Sequence, residues 1–205
     1  MVEKLVLRNS SKKDEKILLD WRNNFETRKN SFNNKIISKS EHSKWFANII
    51  SNKKFKAIIG ELNKKPFGVV IFEVISSSAF VSINLAPEKR GLGLGSMLLN
   101  RACLNFSEES NVILRAKIKK DNYKSLECFK KASFTPNKIT SNIVYLENKI
   151  CLIGAIEKIR SKNNVNWMNL MRLAFSVAPN EAKKIIRKID DDDKKISKLL
   201  KILGK

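Results

Sequence analysis

Glycine, proline, cysteine and histidine are all scarce in this 205-residue chain, with 7, 4, 3 and 1 copies. Cys103, Cys128 and Cys151 are odd in number and widely spaced. They give neither a zinc-ligand pattern nor a disulfide framework, which points to a reducing cytoplasm, and no metal is expected. No apolar run approaches the roughly 18 residues that a membrane span needs. Met1-Val2-Glu3-Lys4 leads into a short strand without a signal-peptide pattern. No G-x-x-x-x-G-K-[ST] occurs, so a P-loop is excluded. Acidic residues are few as well: 20 against 41 lysines and arginines, a formal net charge of +21. The lysines are scattered, and Lys, Asn and Ile are abundant throughout, as an AT-rich coding bias would produce. Specific nucleic-acid binding is therefore not expected, and attraction of small anionic ligands is a sufficient use of the charge.

What is present is enough apolar residue for a core, 42%, and one concentrated motif. Val81, Ile83 and Leu85 alternate with polar neighbours, the period of a half-buried strand, and Pro87 ends the pairing. Gly91, Gly93 and Gly95 follow, three of the 7 glycines within five residues. Met97, Leu98, Leu99, Ala102 and Leu104 then repeat at helical spacing. The N–H groups of such a loop approach an anion closely, the helix N-terminus adds partial positive charge, and Arg90 adds a full one. A phosphate or pyrophosphate suits the loop, although the glycines by themselves suit equally a turn that only joins strand to helix. A dinucleotide Rossmann site is not indicated, because no βαβ start precedes the glycines and no ribose-binding acid is suitably placed.

Taken in order, residues 5–7 read as a strand. Ser11 and Asp14 form a capping-box pattern before Ile17, Leu18, Trp21 and Phe25 at helical spacing, and residues 26–37 read as a loop. Ser38 and Glu41 open a second helix with Trp45, Phe46, Ile49 and Ile50 as its buried stripe. His42 lies in its first turn, off that stripe. Residues 54–63 and 66–76 read as strands that form an antiparallel meander with 81–85. A helix at 94–107, a strand at 113–118, a helix opened by Asp121-Asn122, a short strand segment at Phe134 before a turn at Pro136-Asn137 and a last strand at 143–146 complete the order β-α-α-β-β-β-α-β-α-β-β.

Arg90-Gly91-Leu92-Gly93-Leu94-Gly95 resembles the Arg/Gln-x-x-Gly-x-Gly/Ala signature of the GNAT superfamily of N-acetyltransferases. Asn122, Ser125, Phe129, Lys131 and Phe134 resemble that family's second block, with Ser133 in place of its usual glycine. The resemblance spans residues 80–134, and the strand order extends it over 1–149. It implies an α/β fold with a mixed, mainly antiparallel sheet and helices on both faces, and acetyl-CoA as co-substrate. It places the pyrophosphate on Arg90, Gly91, Leu92, Gly93, Leu94, Gly95 and Ser96, with Asn122, Ser125 and Phe129 completing the donor side. By the same resemblance the oxyanion donor is the N–H of Leu85, in a gap between strands 81–85 and 113–118. Phe129 stands where many members carry a tyrosine that protonates the leaving thiolate. Water, Cys128 or Tyr123 would then supply that proton, since a thiol with a pKa of roughly 8 to 9 leaves readily as thiolate.

The reaction needs a neutral amine, hence a base. Residues 19–46 resemble the GNAT subgroup that acetylates nucleotide-linked 4-amino sugars in pseudaminic, legionaminic and related surface-sugar pathways. That likeness implies acceptor contacts from Trp21, Arg22, Arg28, His42 and Trp45, with the arginines on a nucleotide diphosphate. His42 is the first candidate base and Glu73 the second. A protein N-terminal or ribosomal-protein acetyltransferase is an alternative, and so is a non-catalytic acyl-CoA-binding or assembly module. Residues 150–205 read as an appendage of three or four helices that packs on residues 1–149 or makes a homo-oligomer. Within it Asp190–Asp193 read as an exposed helix boundary rather than a metal site.

Overall fold

A computed structural model of the chain describes residues 5–110, 112–148 and 150–203. Seven strands form one sheet: β1 (Leu5–Asn9), β2 (Phe55–Leu62), β3 (Lys65–Ile75), β4 (Ser78–Leu85), β5 (Ile113–Lys119), β6 (Thr135–Ile139) and β7 (Ile143–Asn148). Their spatial order is β1-β2-β3-β4-β5-β7-β6, antiparallel except for the parallel pair β4–β5.

The period of two in the strands sends alternate residues to two separate cores. Ile58, Val70 and Phe72 join Leu98, Leu99 and Phe106 of helix α4 (Leu94–Ser107) and Phe129 of helix α5 (Tyr123–Lys131) on one face. Ala57, Ile59 and Val69 meet Leu18 and Trp21 of α1 (Glu15–Asn23) and Phe46 and Ile49 of α3 (Lys39–Ser51) on the other. Burying a side chain such as Leu98 or Leu99 contributes about 2 kcal/mol each. The sheet is thus sandwiched by helices, the mixed α/β architecture expected from the motifs.

Three expectations are corrected here. Residues 26–37 are not all loop: Asn24 accepts a hydrogen bond from the Glu26 N–H at 3.2 Å and caps a further helix, α2 (Phe25–Asn30). The buried stripe of α3 is His42, Phe46 and Ile49, while Trp45 and Ile50 are 44% and 46% exposed. The chain beyond β7 holds two helices rather than three or four, α6 (Ile150–Val177) and α7 (Pro179–Leu203). Asp190–Asp193 lie inside α7 and not at its boundary. Lys194 pairs with Asp190 one turn away, and Lys195 with Asp192 at 2.9 Å, which offsets the acidic run within the helix. Contacts divide the chain after Ala155, inside α6, into a larger and a smaller unit. Among the described residues no helix is long and apolar enough to cross a membrane.

Candidate active site

β4 and β5 are paired only at Ser78–Ile113, Ala79–Leu114 and Phe80–Arg115. Beyond Phe80 the two strands part, and the gap is one wall-to-wall groove of about 610 Å³. Ser82 to Leu85 line one wall, and Lys117 to Lys119 the other. The end of β4 is fixed by the Ala86 N–H, which donates to the Phe67 carbonyl at 2.8 Å. Alternation in an antiparallel ladder then turns both the N–H and the C=O of Leu85 away from β3 and toward the gap. The carbonyl does point there, since the Arg90 Nη2 reaches it at 3.1 Å. Gly68 sits opposite Leu85, and a Cβ on it would lie 2.5 Å from the Leu85 Cδ2. Glycine is therefore what lets the strand end close down on its neighbour.

After a 3-10 turn at Pro87–Lys89, Gly91 and Gly93 take φ values of +79° and +75°, the left-handed region that glycine enters without strain. Nothing lies within 4 Å of where their Cβ atoms would be. Gly93 is the N-cap of α4 and offers no side chain to the helix's first N–H groups. Those donors, the partial positive charge of α4 and an open approach form a site for an anion. A Cβ on Gly95 would meet the Leu85 Cδ1 and the Cys128 Sγ, both at 3.2 Å, so the helix start is pressed against the strand end and α5. Asn122 caps α5 by accepting from the Ser125 N–H at 3.2 Å, and both line the groove with Lys124, Cys128, Phe129 and Lys131.

The sequence model of the acetyltransferase (GNAT) family matches residues 18–134, more than half of the chain. The chain belongs to this family. It is an acetyl-CoA-dependent N-acetyltransferase. Solved structures similar to it include the spermidine N-acetyltransferase of Vibrio cholerae in complex with CoA and spermine, at 21% identity and a TM-score of 0.62 over 70% of this chain and 94% of that one. AAC(6')-Ib in complex with paromomycin and acetyl-CoA is similar at 16% identity and a TM-score of 0.62, over 71% of this chain and 93% of that one. The Campylobacter jejuni N-acetyltransferase PseH in complex with acetyl coenzyme A is similar at 19% identity and a TM-score of 0.56, over 70% and 97%. No curated protein sequence matches the chain.

The residues expected at this acetyltransferase's site divide sharply. Leu85, Gly91, Gly93, Gly95, Ser96, Asn122, Ser125 and Phe129 all line the groove. Arg90 lines it too, but its guanidinium is turned inward. Nε and Nη2 donate to the Leu85 carbonyl at 3.3 and 3.1 Å, Nη1 to the Asn24 Oδ1 at 2.8 Å and Nη2 to the Thr27 Oγ1 at 2.7 Å. Phe129 is buried edge-on against Phe134, with ring centroids 4.9 Å apart, and has no proton to give. Tyr123 is 72% exposed and does not line the groove. Burial pushes the Cys128 thiol up to about 11, too weak an acid for a CoA thiolate.

His42 is not in the groove. It is 2% exposed, its ring sits 5.2 Å from the Trp45 ring and 5.9 Å from the Phe46 ring, and neither ring nitrogen has a partner. Burial lowers its pKa, and it is not among the residues that line the groove. Glu73 pairs across from Phe80 on β3, at the closed end of the β4–β5 pair, five residues along β3 from Gly68 and Leu85. At about 3.4 Å per residue that is roughly 17 Å from the open end. Trp21 is core, and Trp45 does not line the groove. Arg22 donates to the Asn33 carbonyl at 2.6 Å, and Arg28 to the carbonyls of Asn23 and Asn34 at 3.1 and 3.2 Å. The two arginines tie down the segment after α2 and do not face the groove.

In their place stand Glu26, Thr27, Asn30, Ser31 and Phe32, which line the groove from α2 and the turn after it. Lys119 crosses the gap and donates to the Lys29 carbonyl at 3.0 Å. The signal for this wall was the pair Asn24 and Glu26, a capping residue ahead of an acid in a first helical turn. Among the described residues no cluster of His, Cys, Asp or Glu is placed to hold a metal ion.

Proposed function

We propose that this acetyltransferase acetylates the amine of a nucleotide-linked 4-amino-deoxy sugar. The supporting observation is the charge of the acceptor wall. Lys117 and Lys119 of β5, the exposed Phe32 and the carboxylate-bearing Glu26 of α2 all line the groove, with Lys119 Nζ on the Lys29 carbonyl and Lys117 Nζ 4.7 Å from the Phe80 ring centroid. Cations favour a diphosphate, an exposed aromatic ring gives a nucleobase a face to stack on, and one carboxylate suits one ammonium. A polyamine would bring several positive charges into a groove dominated by lysines. The likeness of residues 19–46 to the nucleotide-sugar subgroup supports the same acceptor, although Arg22 and Arg28 serve it by shaping the segment and not by touching phosphate.

On the donor side, the amides of residues 92–96 take the pyrophosphate at the uncapped start of α4. The N–H of Leu85 takes the negative charge that grows on the thioester oxygen. With Phe129 apolar and Cys128 a weak acid, the departing thiolate takes its proton from water.

The deciding measurement is release of CoA thiol from acetyl-CoA with three amines: a UDP-linked 4-amino-4,6-dideoxy sugar, spermidine and a peptide with a free N-terminus. The expected result is a kcat/KM at least 100-fold higher for the nucleotide sugar than for the other two. Faster turnover of spermidine or peptide would overturn the acceptor.

A further inference from the structure

The expected bases His42 and Glu73 both lie outside the groove, which leaves the proton of the attacking amine without a destination. The described residues that line the groove include two carboxylates, Glu26 and Glu127. Glu127 sits on α5, on the donor side, 63% exposed and one turn from Lys130. Glu26 sits on the acceptor side, in the first turn of α2, on the wall that faces Asn84 and Leu85.

Glu26 is held there by a relay that begins at the reacting end of β4. The Leu85 carbonyl accepts from Arg90, and Arg90 Nη1 donates to the Asn24 Oδ1 at 2.8 Å. That same oxygen accepts the N–H of Glu26 at 3.2 Å. A second arm runs from Arg90 Nη2 to the Thr27 Oγ1, and from that hydroxyl to the Asn84 Oδ1 at 3.3 Å. Four of the five N–H bonds of one guanidinium are thereby used on the end of β4 and the start of α2. Arg90 also covers the Leu85 carbonyl oxygen, which faces the same gap as the Leu85 N–H and would otherwise repel a developing oxyanion.

We propose that Glu26 is the catalytic carboxylate that receives the proton of the attacking amine, and that Arg90 is a positioning residue that sets Glu26 relative to Leu85. The proposal rests on the acetyl-transfer reading of the groove but not on which amine is the acceptor. In the step, the amine nitrogen forms a bond to the thioester carbon and the carbon–sulfur bond breaks with its electron pair on sulfur. The proton lost by nitrogen passes to the Glu26 carboxylate, directly or through one water, and the thiolate is protonated by water. Glu26 is solvent-exposed and returns its proton to bulk water. The charged carboxylate also attracts the ammonium form of the incoming amine, and so assists binding before it accepts the proton.

The test measures kcat and KM from pH 6 to 9 for the full chain, Glu26→Gln and Arg90→Gln, with the UDP-linked amino sugar, spermidine and the peptide in separate arms. Acetyl-CoA affinity is followed by calorimetry. Glu26→Gln is isosteric at an exposed position and should fold normally. It is expected to lose about 100-fold in kcat/KM. Its kcat should climb about tenfold per pH unit, as only free amine reacts, where the unaltered enzyme levels off. Arg90→Gln should lose about tenfold in kcat with the levelling pH profile retained and acetyl-CoA affinity within threefold. A Glu26→Gln enzyme with unaltered kcat and pH profile would overturn the role of Glu26. An Arg90→Gln enzyme that loses tenfold in acetyl-CoA affinity while amine kinetics stay intact would return Arg90 to the pyrophosphate. If spermidine alone is turned over, the nucleotide-sugar acceptor falls while the Glu26 comparison is still read on spermidine.

Discussion

The two walls of the groove are made of different material. The donor wall is mostly main chain: the Leu85 N–H, the left-handed Gly91 and Gly93, and the uncapped start of α4. The acceptor wall is mostly side chain, Glu26, Thr27, Asn30, Ser31 and Phe32, supported from behind by hydrogen bonds from Arg22, Arg28, Arg90 and Lys119 to carbonyls and caps around α2. A wall of amides holds an invariant group such as a pyrophosphate, and few side-chain changes can alter it. A wall of side chains is open to alteration one residue at a time, which suits the half of the reaction that selects among amines.

The sharpest way to break this comparison is to delete one main-chain donor. Leu85→Pro removes the N–H that faces the gap, together with the side chain that packs on Gly68 and Gly95, and Leu85→Ala controls for the lost side chain. The expected loss in kcat is on the order of 10²–10³, with acetyl-CoA affinity within about fivefold. An enzyme with kcat unchanged would show that the thioester oxygen is held by a side chain, and the donor wall would no longer be a main-chain device.

Gly93→Val attacks the same wall at the other end. A β-branched residue at a φ of +75° is strained, and the substitution would move the amides at the start of α4. Acetyl-CoA affinity by calorimetry should fall about 100-fold, while the melting temperature falls by only a few degrees. A loss of stability with affinity retained would reduce Gly93 to a turn residue.

This division also explains what could be read in advance. The donor wall was legible because its chemistry is local: three glycines at alternate positions between a strand pattern and a helix pattern suit an anion cradle as well as a plain turn, and Gly91 and Gly93 take the left-handed φ and open approach that a cradle needs. The acceptor wall was not, because its bonds join residues far apart, such as Arg90 to Asn24 across 66 positions. Arg90 carries a motif that resembles a phosphate ligand, yet its guanidinium is spent on Leu85, Asn24 and Thr27. Arg22 and Arg28 were expected on a diphosphate and instead donate to loop carbonyls, with the buried Arg22 Nη1 left without a partner. His42 was misread for a related reason: a polar residue one turn before Phe46 on the helix looks solvent-facing until the fold shows that Trp45, not His42, leaves the buried stripe.

The smallest expected effect tests whether the buried part of the acceptor half is structural. Burial lowers the His42 pKa below its ordinary 6.5; the nearby Glu15 carboxylate opposes that shift and Arg22 adds to it. Above pH 6.5 the imidazole is neutral folded and unfolded, so it contributes no pH dependence. As pH falls below 6.5 the unfolded chain binds a proton that the folded one resists, and stability drops until the folded pKa is passed. His42→Phe keeps a ring beside Trp45 and Phe46 and removes the proton. Between pH 7 and pH 5 the melting temperature of the unaltered protein should fall a few degrees further than that of His42→Phe, with kcat of the two at pH 8 within threefold. Parallel melting curves would mean that the imidazole is already hydrated in the folded state. A collapse of kcat at pH 8 with stability intact would instead place His42 in the chemistry, and the acceptor wall would extend into what is otherwise core.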